Sequence, residues 1–209
     1  MDVLFIFSVI IQFVLVFGSI VLHEVAHGYV AWRLGDPTAR MHGRLTLNPL
    51  KHIDLFGTIL LPLMLAFMRA PVLGWAKPVP INPSYFRDTR RGVMLTGAAG
   101  PLTNFVIALA AGILYRLFQF DESLHFVSSL AGQLFIINVY LGLFNLLPVP
   151  PLDGSRVLVG LIPSAWVAPY LSIERYGIFI MYGIILLGWH RHILDPLLIL
   201  AIRLLGIGE

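Results

Sequence analysis

The sequence predicts an all-α polytopic membrane protein of about 4–6 membrane helices, with a re-entrant element after the first of them. Three observations carry that expectation. Of 209 residues, 58% are hydrophobic and only 12% charged, about half the charged share of an ordinary soluble domain. Apolar stretches of spanning length recur at Val3 to Trp32, Val93 to Phe118 and Phe126 to Leu147. No polar linker, charge block or repeat divides the chain, so residues 1–209 read as a single domain, with a core at 1–160 and C-terminal membrane segments at 161–209. Cys is absent, which leaves His and carboxylate as the metal-ligating side chains. The formal charge of +3 is small. The expected surroundings are a lipid bilayer, and no nucleic-acid partner is expected.

The first stretch, Val3 to Trp32, exceeds the thickness of a bilayer core if helical. A secretory signal would open on basic residues, whereas this chain opens Met1-Asp2-Val3. Arg33, Arg40, Arg44 and Lys51 follow it, and Arg69, Lys77, Arg87, Arg90 and Arg91 precede the next long stretch. The positive-inside rule places both groups on the cytoplasmic face. Between them, Gly57 to Met68 is short for a crossing and contains Pro62, which suits re-entry better than an ordinary spanning helix. Arg44 to Asn48 and Trp75 to Pro83 read as extended; the prolines at 78, 80 and 83 forbid a helix in the second.

Val93 to Phe118 should cross outward. Its small residues Gly97 to Gly100 permit close helix approach, and Pro101 should free the carbonyl of Gly97. Phe126 to Leu147 should return to the cytoplasmic side. Asn104 and Asn138 are expected as interhelical hydrogen-bond glue. Beyond Gly154, Tyr176 to Gly188 and Ile193 to Ile207 are apolar but short, and one, two or no complete crossings all fit.

The chemistry concentrates at His23-Glu24-Val25-Ala26-His27. Histidines at i and i+4 share one helix face, so both imidazoles reach one zinc ion, with the intervening Glu placed to take a proton from water. A plain anchor helix would have no use for three ionisable groups in hydrocarbon. A catalytic zinc commonly takes a third protein ligand. Candidates are Asp153, Asp54, His42, His52 and Glu174. Topology favours Asp153, because one excursion out and one back returns the chain to the side where the first helix ends, provided residues 34 to 91 make no net crossing. The competing role for Asp153 is as N-cap of a short helix starting near Ser155. His42, His52, His125, His190 and His192 read as interfacial or solvated.

Taken in order, His23-Glu-Val-Ala-His27, Gly100-Pro-Leu-Thr-Asn104 and Asn145-Leu-Leu-Pro-Val-Pro-Pro-Leu-Asp-Gly154 resemble the site-2 protease family of intramembrane zinc metalloproteases. Residues 43–52 and 74–80 resemble its small bacterial branch, and the chain has no room for a PDZ or CBS domain. The resemblance implies one Zn2+ per chain held by His23, His27 and Asp153, with Glu24 as catalytic acid/base. It also implies a substrate- or oxyanion-facing role for Asn145 and a β-hairpin within the re-entrant element. A bacterial inner membrane, an active site near the cytoplasmic side and a transmembrane segment of another protein as substrate follow from the same resemblance. Two rival classes are a multipass metal or ion transporter, which wants polar groups at successive depths, and a catalytically silent membrane scaffold.

Overall fold

The computed structural model describes residues 3–68, 74–205 and 207. Arg69, one of the expected basic residues, lies outside them. Helix α1 spans Val3–Arg33, an apolar run that no proline interrupts. It stops where Gly35 takes φ +107°. Gly35 N–H then donates to Trp32 O and Asp36 N–H to Ala31 O, a Schellman-type end that satisfies the last carbonyls. Fully buried Asp36 accepts from the Thr38 N–H at 2.9 Å and the Asn82 N–H at 2.6 Å. The end of α1 is thereby tied to a segment more than forty residues away.

After the one-turn helix α2 (Thr38–Met41), a π-helical stretch at Leu55–Leu60 leads into α3 (Leu61–Phe67). Asp54 caps this excursion by accepting from the Gly57 N–H at 2.7 Å. The chain is back at its start by Trp75, whose N–H donates to Gly57 O at 3.1 Å. Residues 57–75 therefore make no net crossing, as re-entry requires.

The expected β-hairpin is absent: there is no strand among the described residues. Pro78, Pro80 and Pro83 remove three donors from the second half of such a hairpin. The remaining N–H groups of Trp75, Lys77 and Val79 find three unrelated acceptors: Gly57 O, His52 O and the Glu24 carboxylate. In the first half, His52 folds back so that its Nε2 meets Thr46 O at 2.9 Å, and the backbone turns rather than pairs. Both segments are irregular backbone held against α1.

Helix α4 (Thr89–Phe118) is the central element, packed on α1, on α5 (His125–Asn145) and on α6 (Asp153–Leu161). Its contact residues are small: Gly97, Ala99, Gly100, Ala108, Ala111 and Gly112 are buried. A Cβ on Gly112 would lie 2.7 Å from Leu205 and 3.2 Å from Phe135, so the neighbouring chains reach the α4 backbone itself. Beyond α6 come α7 (Ser164–Leu171), α8 (Gly177–Leu186) and α9 (Trp189–Leu204). The segments Ser164–Leu186 and Trp189–Leu204 meet at 69°, with Gly188 at φ +69° between them. Gly177 abuts Pro150, whereas Leu205 O accepts from Arg116 Nη1 at 2.8 Å. The bent pair thus runs from the α6 end of the bundle to the far end of α4, as one broken span would. Among the described residues, three helices are long and apolar enough to cross a membrane, and four when the bent pair counts as one span. Four would be the lower edge of the expected range, reached only when the C-terminal apolar stretches share a single crossing; three falls below it.

Candidate active site

His23 and His27 lie one turn apart on α1 and are 7% and 3% exposed. Each ring is fixed by its Nδ1. His23 Nδ1 is 2.6 Å from Asn104 Oδ1 and His27 Nδ1 is 2.6 Å from Thr96 O, both acceptors on α4. Acceptors there require Nδ1 to carry the proton, leaving a lone pair on each Nε2. The two Nε2 atoms are 3.0 Å apart, and Asp153 Oδ2 stands 2.9 Å from one and 3.1 Å from the other. Three lone-pair atoms have converged on one point.

Asp153 reaches that point because prolines 148, 150 and 151 break the chain after α5 and Gly154 allows it to turn tightly. A Cβ on Gly154 would lie 2.2 Å from Leu146 O. Asp153 opens α6, but Leu152 is the cap residue and the Asp side chain makes no cap hydrogen bond; its carboxylate goes to the histidines instead. Arg156 Nη1, 3.9 Å from Asp153 Oδ1, adds a cation on the other oxygen.

These are the groups a metal ion needs. All three ligand atoms lie within 4.8 Å of one another, and His23, His27 and Asp153 form the one such cluster among the described residues. Tetrahedral ligands on bonds of about 2.0–2.1 Å stand roughly 3.3 Å apart, close to the edges of this triangle. Acceptor lone pairs at such distances repel unless a cation sits between them. The α4 backbone leaves the room: a Cβ on Gly100 would fall 2.4 Å from His27 Nε2 and 2.5 Å from His23 Nε2. The donor set and the space both fit zinc.

Glu24 stands beside the triangle, with Oε2 accepting from the Val79 N–H at 2.9 Å. His23 and Glu24 open into a cavity of about 640 Å³ lined mainly by apolar side chains, among them Phe56, Trp75, Phe144 and Met181.

Over residues 119–188 the chain matches the family model for peptidase family M50. It is 40% identical over 186 residues to the "Putative zinc metalloprotease YwhC" of Bacillus subtilis (strain 168), covering 86% of this chain and 82% of the relative. The chain belongs to peptidase family M50. A second relative, "Putative zinc metalloprotease Rip2" of Mycolicibacterium smegmatis, is 33% identical over 67% of this chain and 52% of its own length. The "Zinc metalloprotease MJ0392" of Methanocaldococcus jannaschii is 25% identical over 84% of this chain and 43% of its own. No solved structure matches. This M50 peptidase is a multipass membrane metalloprotease, and its substrates are proteins.

The structure brings four of the five sequence-selected residues to one place: His23, His27 and Asp153 in the triangle and Glu24 at its edge. Asn145 lines the same cavity, but its amide donates to Leu141 O at 2.9 Å. The rejected ligand candidates lie elsewhere. Asp54 caps the re-entrant helix, His42 is exposed and bonded to Thr38 O, and Glu174 is exposed. His52, expected at an interface or in solvent, is fully buried, because its imidazole holds the turn at Thr46. Two contributors were missed by reading side chains alone: the Thr96 carbonyl and the Val79 N–H. The carbonyl that serves His27 is Thr96 O, one residue before the Gly97 O that Pro101 was expected to free.

Proposed function

We propose that this M50 peptidase hydrolyses peptide bonds in or beside transmembrane segments of other membrane proteins, in the inner membrane of a bacterium and near its cytoplasmic side. The observation that carries the reading is the buried His23–His27–Asp153 triangle opening, beside Glu24, onto a cavity walled by apolar side chains. Residues 1–209 act as one catalytic unit, the core at 1–160 holding the chemistry. The basic residues Arg33, Arg40, Arg87, Arg90 and Arg91 flank the α1–α4 ends that carry the site, which supports the cytoplasmic placement.

His23, His27 and Asp153 would hold one Zn2+, which supplies Lewis acidity to polarise the scissile carbonyl and to lower the pKa of a water towards about 7. Glu24 accepts the proton of the attacking water and delivers it to the leaving amide nitrogen. Held by one oxygen on the Val79 N–H, its carboxylate keeps the other free for that transfer. Asn145, at the cavity wall, can release Leu141 and donate its amide to the oxyanion. A helical substrate hides its carbonyls in internal hydrogen bonds, so it must unwind to be cut. The Gly74–Val79 backbone, alongside the cavity, offers an edge for the opened strand.

In proteoliposomes carrying a transmembrane reporter, Glu24→Gln should retain zinc while cleavage falls by at least about 10²-fold. Normal cleavage by a zinc-loaded Glu24→Gln protein would sink the reading.

A further inference from the structure

A buried polar chain runs away from the triangle and crosses three helices. Asn104 on α4 and Asn138 on α5 are both 0% exposed. Asn104 Nδ2 donates to Asn138 Oδ1 at 2.9 Å, and Asn138 Nδ2 donates both to Ser19 Oγ and to Leu134 O, each at 2.9 Å. The Ser19 hydroxyl in turn donates to Leu15 O at 2.7 Å. None of these five groups belongs to the triangle.

The hydrogen-bond sense of the whole chain follows from its far end. A backbone carbonyl only accepts, so Leu134 O must face the NH2 of Asn138. Asn138 therefore turns its oxygen to Asn104, which must answer with its own NH2. That leaves Asn104 Oδ1 for His23, and an acceptor there keeps the proton on Nδ1 and the lone pair on Nε2. A flip of either amide would break the sequence at two places between fully buried side chains.

Resting on the reading of His23 as a zinc ligand, we infer that Asn104 and Asn138 are positioning residues: together they set the tautomer and ring orientation of His23, with Asn138 acting only by preventing the Asn104 amide from flipping. Metal-bound imidazoles generally need such a partner on the other nitrogen, and its loss typically weakens metal binding about 10–100-fold. The unusual element is the length of the device. Asn138 reaches the metal site through Asn104 and touches no residue of the triangle.

Zinc alone, titrated into the full-length chain in detergent against a competing chelator, tests this without reference to cleavage. Asn104→Leu should weaken zinc about 10–100-fold, and Asn138→Leu about tenfold. Asn104→Asp separates positioning from glue. A carboxylate still accepts from His23 Nδ1 but cannot donate to Asn138, so zinc affinity should stay within about threefold of the parent even though the α4–α5 link is cut. Having two equivalent oxygens, it also has nothing to flip. Asn138→Leu placed in the Asn104→Asp background should therefore change affinity by less than about twofold, a clear departure from additivity. This comparison stands even where Asn104→Leu fails to fold. Equal losses for Asn104→Asp and Asn104→Leu, or an undiminished effect of Asn138→Leu in the Asp background, would overturn the inference. Zinc absent from the parent, or kept by Asp153→Ala, would overturn the ligand reading and this inference with it. Zinc bound by the parent, lost in Asp153→Ala and unaffected by Asn104→Leu would overturn this inference alone.

Discussion

Gly100 lies on the α4 face beside both imidazoles, and a single methyl group there would occupy the space that a ligand-bound ion needs. Gly100→Ala is expected to lower zinc affinity at least about tenfold while the helices still form, since Ala is the better helix former; chelator competition and circular dichroism measured together check both halves. At this scale the sequence was readable wherever function rests on a side chain in a regular element. His23, Glu24 and His27 announce themselves because the i, i+4 spacing on a helix has a fixed geometric meaning. Asp153 was reachable by following the chain's crossings. The Thr96 and Val79 contributions were not, because a carbonyl and an N–H carry no residue-type signature; Gly100 was legible only as one of the small residues that permit close helix approach.

Each of the three long helices was visible in its apolar length, and the end of α1 follows from the glycine that closes it. The segments between α1 and α4 were harder. Prolines at 78, 80 and 83 correctly ruled out a helix but do not say what the remaining donors bond to, and the answer was α1 and the re-entrant turn rather than a partner strand. The Pro-rich turn before α6 is the element on which the site depends most. A Cβ on Gly154 would strike the backbone of Leu146 and Leu147, groups that cannot swing aside. Gly154→Ala should therefore cost about 1–3 kcal/mol of stability and draw Asp153 away from the histidines. A lowered thermal midpoint with reduced zinc content is the expected pair of readings; unchanged values for both would show that the turn tolerates the bulk.

For the whole molecule, counting the bent C-terminal pair as one span gives four crossings, which would put Val3 and Leu204 on one side of the membrane and Met41 and Arg87 on the other. The C-terminal bend at Gly188 hid this from the sequence, because neither apolar half is long enough alone. With no native cysteine, single cysteines at the exposed positions Val3, Met41 and Leu204 can be labelled cleanly with an impermeant thiol reagent in intact cells. Val3→Cys and Leu204→Cys should label from outside, and Met41→Cys only after lysis; opposite sides for the first and last would mean that α8 and α9 do not form one span. The convergence of α1 and the α5–α6 turn on one ion is the claim that everything functional depends on, and X-ray absorption at the zinc edge of the purified, full-length chain tests it most directly. The expected spectrum shows one zinc per chain with two imidazole nitrogens and oxygen donors at about 2.0–2.1 Å, lost in Asp153→Ala. Zinc held without imidazole scattering, or held equally well by Asp153→Ala, would contradict the account.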